Sequence, residues 1–228
     1  MFCIVAQNVR SANSRRKLSR PANCLPEAAL KSVDLTNASL QGANLARSVI
    51  IDVTLASANL GGTNFQDATL TRSILVGVVL FGANLEHATL DDVDLSNADL
   101  TRAVLCRARL NGVRLVGAIL QDCNLEVASL RGVACEAADL RRANLRGVEA
   151  VSTNLEAAVA LDFANLDGVW LDFVSPEKRD AAVVMRLQQA ASLEGVILPD
   201  GTQLPGGSSV SSPEQNWKTA FEEWCRNS

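Results

Sequence analysis

Residues 81–100 read FGANLEHATLDDVDLSNADL, with a leucine at every fifth position. The same spacing runs from Leu30 to Leu155, where 22 of the 26 fifth positions are Leu. The other four are Ile50, Phe65, Cys135 and Ala150. A period of five fits neither the amphipathic helix, with a period of about 3.6, nor the half-buried strand, with a period of about 2. The backbone must therefore turn by a fixed angle every five residues.

A second register, two residues before each of these central positions, holds nothing larger than Val. A longer period of 20 is superimposed on the fives, and it is seen in a Val series and an Asn series. These residues are Val33, Val53, Val93, Val113 and Val133, and Asn44, Asn64, Asn84, Asn124 and Asn144. Four fives therefore make one coil. The pattern predicts a four-sided all-β solenoid with coils about 4.8 Å apart, in which stacked Asn amides hydrogen-bond along a column.

Segments such as Ala83-Asn84-Leu85, Ala98-Asp99-Leu100 and Ala143-Asn144-Leu145 resemble the A(D/N)LXX unit of the pentapeptide repeat family. The resemblance covers more than half of the chain, because both registers hold over 26 units. It implies a right-handed quadrilateral β-helix. The spacing by itself indicates four sides but not the hand of the coil.

Three regions follow from the pattern: a leader over 1–26, the pentapeptide-repeat β-helix over 27–173, and a C-terminal α-helical cap over 174–228. The leader has no acidic residue and is rich in Arg and Ser. This composition is typical of an organelle transit peptide and resembles plastid presequences, although a basic disordered tail fits equally well. The expected location is the chloroplast, with the cytoplasm of a bacterium or cyanobacterium as the alternative.

The end of the solenoid shows a phase slip, because leucines resume one residue late at Leu161. One inserted residue is expected near 159–161, as a bulge. Beyond it, Ser175 and Ser212 are helix N-caps of two cap helices joined by a turn and a Gly/Ser linker. The second helix places three aromatic residues on one face: Trp217, Phe221 and Trp224. This face is interpreted either as a cover for the last coil or as a partner-binding surface.

Catalytic, metal and cofactor sites are not predicted. His87 is the single histidine and occupies an outward register, and the six cysteines have no spacing that favours zinc. No apolar stretch approaches the roughly 20 residues that span a bilayer. A net charge of −4 and 4% aromatic residues do not favour direct binding of nucleic acid.

Outward charges form two patterns. Residues one coil apart alternate in sign, as in Asp52, Arg72, Asp92 and in Arg102, Asp122, Arg142, which predicts ladders of ion pairs. An acidic belt circles the rod within one coil, and a basic belt follows it. The acidic belt consists of Glu86, Asp91, Asp92, Asp94 and Asp99. Resemblance to the family also suggests DNA mimics that bind type II topoisomerases, but these present an acidic stripe along the rod instead of a belt.

The expected function is a non-enzymatic scaffold that binds a protein partner on a rigid rod. The alternative is a DNA mimic acting on a type II topoisomerase. A homodimer, end to end or side by side, is left open. Candidate contact residues are the aromatic face and the acidic belt: Trp217, Phe221, Trp224, Glu86, Asp91, Asp92, Asp94 and Asp99.

Overall fold

The computed structural model describes residues 26–153, 170–171, 196, 202–205 and 219–223. In this part of the chain, one short strand occurs per coil and the strands pair in parallel, in the order β1 to β8. Their bounds are β1 Ala29–Lys31, β2 Val49–Ile51, β3 Thr69–Thr71, β4 Thr89–Asp91, β5 Arg109–Asn111, β6 Ser129–Arg131, β7 Glu149–Val151 and β8 Trp170–Leu171. From β1 to β7 the paired residues are 20 apart, as in Leu70 with Leu90. The coil of 20 residues is confirmed.

The other three walls are joined by isolated parallel bridges instead of longer strands. Each bridge pairs residues that precede the central position, such as Ile74 with Asp94 and Val79 with Asp99. We number the walls by the central residues of one coil: wall 1 around Leu70, wall 2 around Leu75, wall 3 around Leu80 and wall 4 around Leu85. The right-handed coil that the family resemblance implies is also the hand that parallel strands joined by crossovers adopt.

The pairing of β7 with β8 departs from the period of 20. Ala150 pairs with Leu171, which is 21 residues further along the chain. The single inserted residue that the sequence predicts is therefore present between these strands. The bulge expected at 159–161 lies outside the described residues.

Every corner contains a residue with positive φ, two positions after the central residue. In residues 26–153, eighteen of these residues are not glycine, with φ from 46° at Arg72 to 63° at Glu27. At three of the four corners of a coil, the N–H three residues after the central residue donates to its carbonyl, as from Ala83 to Leu80 at 2.9 Å. A single positive φ at the third residue of such a turn is the requirement of a type II turn. The sharp turn every five residues follows from this conformation.

The (D/N) position of the repeat stabilises these turns. The Oδ1 atom of Asn84 accepts a hydrogen bond from the Glu86 N–H at 3.0 Å, and the same contact recurs at other coils. Asn side chains also donate to one another along wall 4, from Asn84 to Asn64 at 3.3 Å and from Asn144 to Asn124 at 3.1 Å. The predicted Asn ladder is confirmed within its two segments, which are separated by Val104.

The core consists of the central residues and the small register. From Leu40 to Ala150 the central residues are at most 8% exposed, and Phe65 is fully buried. The first coil is less covered, because Leu30 and Leu35 are partly buried. Each Leu that is removed from water contributes about 1.5–3 kcal/mol of transfer free energy. Burial of the leucine column therefore drives the coils together.

The Val series marks the fourth corner, which follows each strand. Within residues 26–153 this corner lacks the bond from the third residue to the centre. Ser73 and Thr153 take the place of Val at two positions of the series. Their hydroxyl oxygens accept hydrogen bonds from backbone N–H groups one coil earlier. The Val53 N–H donates to Ser73 Oγ at 3.2 Å, and the Val133 N–H to Thr153 Oγ1 at 3.4 Å. These two hydroxyl residues therefore have a structural reason to replace Val.

Ser48 and Ser73 are both buried in the small register, but only the Ser73 hydroxyl has partners. Ser48 Oγ has no hydrogen-bond partner among the residues that the structure describes, whereas Ser73 Oγ also donates to the Thr71 carbonyl at 3.0 Å. We expect Ser48→Ala to raise the free energy of unfolding by about 1–2 kcal/mol, because an unsatisfied buried hydroxyl is removed. Ser73→Ala should instead lower it by about 1 kcal/mol. Urea denaturation measures both, and changes of equal sign would contradict this account.

Val127 is the β-branched residue with positive φ, at 58°, in the described repeats. The left-handed conformation costs an L-residue roughly 1–2 kcal/mol, and Asn tolerates it better. Asn97 occupies the same register position with φ of 57°. We expect Val127→Asn to stabilise the fold by about 1 kcal/mol and the reverse change, Asn97→Val, to destabilise it by a similar amount. Thermal melts of both variants test the sign, and a stabilising Asn97→Val would contradict it.

Parts of the C-terminal region pack on the same core. Val196, Leu204 and Phe221 are at most 2% exposed and belong to the apolar cluster of the rod. The Leu204 N–H donates to the Val196 carbonyl at 2.8 Å, and residues 219–223 are helical. These contacts support a cap. The helix predicted from Ser175 and the start of the helix predicted at Ser212 lie outside the described residues.

Candidate functional site

The acidic belt circles the rod and does not run along it. Asp91 and Asp92 lie at wall 1, whereas the other three members lie on different walls. Glu86 lies on wall 4, Asp94 on wall 2 and Asp99 on wall 3. The structure therefore brings these residues into one coil but not onto one surface.

Several belt carboxylates serve the fold. Asp91 Oδ1 accepts a hydrogen bond from Asn111 Nδ2 at 2.7 Å. Asp94 Oδ1 accepts the Ser96 N–H at 2.9 Å, and its Oδ2 lies 3.7 Å from Arg114 Nε. These contacts hold turns and adjacent coils together, which is a structural use of the charge.

Asp92 and Asp99 differ from the other members of the belt. Asp92 Oδ1 overlies the next coil, where a Cβ added to Gly112 would lie 2.6 Å from it. Asp99 Oδ1 accepts the Thr101 N–H at 3.0 Å. Within residues 26–153, no Lys, Arg or His lies within ion-pair distance of Asp99. This carboxylate remains available to a partner.

The predicted charge ladders form as pairs. Arg72 Nε and Nη2 donate to Asp52 at 2.9 and 3.0 Å, and Arg142 makes the same two-atom contact with Asp122 at 2.7 and 2.8 Å. The hydrogen bonds from Arg72 and Arg142 hold the pKa values of Asp52 and Asp122 below the usual range. In the described repeats, neither pair extends by an ion pair to Asp92 or Arg102. Each ladder is therefore a single bidentate pair.

Asp139 is a third carboxyl group with a lowered pKa. Burial raises its pKa, but hydrogen bonds from Arg141 and Gln121 outweigh this effect. Arg141 Nη2 donates to Asp139 Oδ2 at 2.6 Å and Gln121 Nε2 donates to the same atom at 2.7 Å. This group links adjacent coils on wall 3.

We expect stability to fall on acidification below about pH 3.9, the usual pKa of an aspartate. Asp52, Asp122 and Asp139 have lower pKa values in the fold than in the unfolded chain. Their contribution is therefore present above the unfolded pKa and is lost as the pH falls through the folded pKa. Melting temperatures between pH 7 and pH 2.5 measure the decline. The double variant Asp52→Asn, Asp122→Asn should show a shallower decline, and an unchanged slope would contradict the assignment.

Three of the six exposed large apolar side chains of the described residues lie on wall 3. We define the wall 3 apolar patch as Val79, Phe81 and Ile119, which are 37%, 46% and 40% exposed. Ile74, on wall 2 around the corner, is 47% exposed. The position one coil before Phe81 is Gly61, and the Arg102 guanidinium lies 6.0 Å from the centroid of the Phe81 ring. This patch was not predicted, although apolar residues in outward registers are its signal in the sequence.

The cysteines of the repeats are not poised for chemistry. Cys123 and Cys135 are buried, and Cys106 is half-buried. Burial raises the pKa of the Cys123 thiol, and burial together with Glu126 raises that of Cys106. These thiols are therefore protonated at neutral pH and are weak nucleophiles.

His87 is exposed, and its Nε2 lies 3.9 Å from Glu86 Oε1. In the part of the chain that the structure describes, no group of three or more His, Cys, Asp and Glu side chains is placed to hold a metal ion. Of the aromatic face, Phe221 is 2% exposed, while Trp217 and Trp224 lie outside the described residues. Phe221 packs inward and is not itself available as a contact residue.

A family profile described as Pentapeptide repeats (8 copies) matches this chain. The matched stretches are residues 28–67, 48–86, 79–115, 88–126, 108–147 and 123–159, which together span more than half of the chain. The chain belongs to the pentapeptide repeat family. Four-sided coils, turn-capping Asn and Asp residues and central leucines are the structural basis of this membership.

Solved structures of other pentapeptide repeat proteins are similar to this chain over much of its length. HetL, from the cyanobacterium Nostoc and involved in heterocyst differentiation regulation, is 24% identical, with 80% of this chain and 92% of that chain covered and a TM-score of 0.26. A protein of the Arabidopsis thaliana thylakoid lumen is 26% identical, with 50% and 70% covered and a TM-score of 0.24. Full-length QnrB1, a plasmid-mediated fluoroquinolone resistance protein, is 17% identical, with 63% and 81% covered and a TM-score of 0.34. Comparison with curated proteins finds no match.

No helix in the described part of this pentapeptide repeat protein combines the length and the hydrophobicity that crossing a membrane requires.

Proposed function

We propose that this pentapeptide repeat protein is a non-enzymatic scaffold whose rod binds a protein partner through its walls. The observation that carries the proposal is the wall 3 apolar patch. Val79, Phe81 and Ile119 are partly exposed on a wall whose backbone is fixed by hydrogen bonds from coil to coil. Apolar surface held rigidly at the exterior is typical of interaction sites, because its burial against a partner is favourable and costs little ordering entropy.

The chemistry of the walls also supports binding over catalysis. Polar side chains are used in turn caps and coil-to-coil pairs, such as Asn84 with Glu86 and Asp52 with Arg72. A catalytic site needs a nucleophile or base with a shifted pKa and a partner that orients it. The raised thiol pKa values of Cys106 and Cys123 point away from such a role.

The test is affinity capture on the full-length chain with mass spectrometry. The double variant Val79→Ser, Phe81→Ser should lose the captured protein, whereas Val49→Ser, at an exposed apolar residue of wall 1, should keep it. Loss in Trp217→Ala, Trp224→Ala but not in the wall variant would move recognition to the C-terminal aromatic face. Capture of nothing above an unrelated β-helical control would refute the scaffold function.

The topoisomerase-directed alternative has weaker support, because the acidic belt is spread over four walls and Arg114 lies beside Asp94. A duplex mimic presents its charges along one side of the rod. A gyrase supercoiling assay separates the two functions. The scaffold proposal expects supercoiling to be unaffected, and inhibition at equimolar protein would favour the DNA mimic.

We also propose a plastid location, which the acid-poor, Arg-rich composition of residues 1–26 supports. The acidic belt and the pairs of Asp52 with Arg72 and of Asp122 with Arg142 lie beyond this segment of the sequence. Import of a fusion of residues 1–26 with a fluorescent protein into isolated chloroplasts tests the location. A fusion that stays outside the organelle would favour the basic tail.

A further inference from the structure

Wall 3 carries a column of three outward side chains with alternating chemistry. Val79, Asp99 and Ile119 are bridged one coil to the next. With coils about 4.8 Å apart, the two apolar residues are separated by roughly 9.6 Å and the carboxylate lies midway between them. Phe81 lies beside Val79 on the same wall. The column therefore presents apolar, acidic and apolar surface in sequence along the rod.

On walls 2 and 3, Asp94 and Asp139 lie near cations, whereas no Lys, Arg or His within residues 26–153 is within ion-pair distance of Asp99. Asp94 lies 3.7 Å from Arg114, and Asp139 accepts from Arg141 at 2.6 Å. Asp99 is half-buried, and its Oδ1 accepts a hydrogen bond from the Thr101 N–H at 3.0 Å. The Arg102 guanidinium lies 6.0 Å from the centroid of the Phe81 ring. A carboxylate between two apolar contacts is complementary to a Lys or Arg with apolar residues on either side.

The spacing decides what kind of segment carries those residues. Side chains on one face of an extended strand repeat at about 6.8 Å, which does not match a ladder of about 4.8 Å. A helix turns every 5.4 Å or so, and residues i and i+7 are about 10.5 Å apart along its axis. The spacing of residues i and i+7 on a helix therefore differs from the spacing of Val79 and Ile119 by only about 1 Å. A second copy of the chain fits less well, because antiparallel pairing centred on Asp99 would oppose two carboxylates.

We infer that the wall 3 apolar patch binds an amphipathic helix of a partner protein, with Asp99 as its charged contact. The helix has large apolar residues at i and i+7, which contact Val79 with Phe81 and Ile119, and a Lys or Arg at i+3 or i+4 that faces Asp99. This inference rests on the proposed scaffold function and narrows it to one wall and one class of partner. Helices that lie with their apolar face against a complementary surface are a common recognition mode.

The test uses a fluorescent helical peptide of about 18 residues, long enough for roughly 27 Å of helix. It carries Leu at two positions seven apart and Arg at the two positions midway between them. Fluorescence anisotropy against the full-length protein should show saturable one-to-one binding. Asp99→Asn keeps the acceptor for the Thr101 N–H and should weaken binding about tenfold, as should Phe81→Ser, whereas Val49→Ser should leave it unchanged. A tenfold change corresponds to about 1.4 kcal/mol.

A second peptide with Glu in place of Arg should bind at least about tenfold more weakly than the Arg peptide to the wild type, and the two should bind alike to Asp99→Asn. Equal binding of both peptides to the wild type, or binding that Asp99→Asn and Phe81→Ser leave intact, overturns the inference. Self-association of the full-length chain that Phe81→Ser abolishes also overturns it, in favour of a second copy. If affinity capture depends on wall 3 but the Arg peptide does not bind, the scaffold function is supported and the inference of a helical partner is wrong.

Discussion

Leu85→Ala should lower the free energy of unfolding by about 2–5 kcal/mol, the usual range for a leucine deleted from a rigid core. Leu85 is 1% exposed and lies in the central column between Phe65 and Leu105. Collapse around the deleted side chain is restricted, because the coil is fixed above and below. The Leu85 N–H donates to the Val104 carbonyl at 2.7 Å, and the Phe65 N–H to the Asn84 carbonyl at 2.6 Å. The cavity should therefore persist and add its cost to the lost transfer free energy.

Cys135→Ala is the matched control for this prediction. Cys135 is also a central residue, 2% exposed, but the change removes a single heavy atom. We expect a loss of about 1 kcal/mol, as for one buried methylene-sized group. Urea denaturation of both variants, checked for an unchanged slope, gives the two values. A smaller loss at Leu85 than at Cys135 would show that the middle coils can repack.

The four-sided rod could be predicted from the sequence because its two registers are strict. Leucine every fifth residue gives the inward column, and the series in steps of 20 gives the number of walls. Even the insertion before β8 was visible as a slip in the leucine phase, and the pairing of Ala150 with Leu171 confirms it. Side-chain size determines the inward column and the number of walls, and side-chain size can be read directly from the sequence.

The difference between the walls was harder to predict, because it depends on backbone hydrogen bonds. Wall 1 pairs three residues per coil, whereas walls 2 to 4 pair one, as at Asn64 with Asn84. A signal was present, since the Val series occupies the corner that follows each strand. Its meaning became clear only with the amide of Val53 directed at Ser73 Oγ. Periodicity shows where the Val series lies, but it does not show which backbone hydrogen bond is missing at that corner.

In the candidate site, too, the features set by residue spacing could be predicted, whereas those set by side-chain conformation could not. Alternating charges predicted the pairs of Asp52 with Arg72 and of Asp122 with Arg142, because residues 20 apart are neighbours. The acidic belt was also visible in the register. What the sequence did not show is that no cation within residues 26–153 pairs with Asp99 while Arg114 lies near Asp94, since this depends on rotamers. The wall 3 apolar patch was overlooked because Val79 and Phe81 sit in a repeat that is rich in apolar residues throughout.

Ala98→Leu should destabilise the rod by about 1–3 kcal/mol, through overpacking of the small register. Ala98 is fully buried, and the residues one coil before and after it are Val78 and Ala118. The repeat leaves room at this register for at most a Val side chain, because the walls approach each other at each corner. The Ala98 N–H donates to the Leu95 carbonyl at 3.1 Å, so the corner cannot widen without loss of this turn bond.

Ala98→Val is the control that distinguishes overpacking from the mere loss of Ala at this position. Val78 already occupies the same column, and the branched side chain is fully buried there. We therefore expect Ala98→Val to be tolerated within about 1 kcal/mol, although the Leu variant is not. Thermal melts and hydrogen exchange at the Leu95 to Ala98 corner give the two results. If Ala98→Leu and Ala98→Val destabilise the rod equally, the absence of residues larger than Val from this register reflects the turn conformation and not the space between the walls.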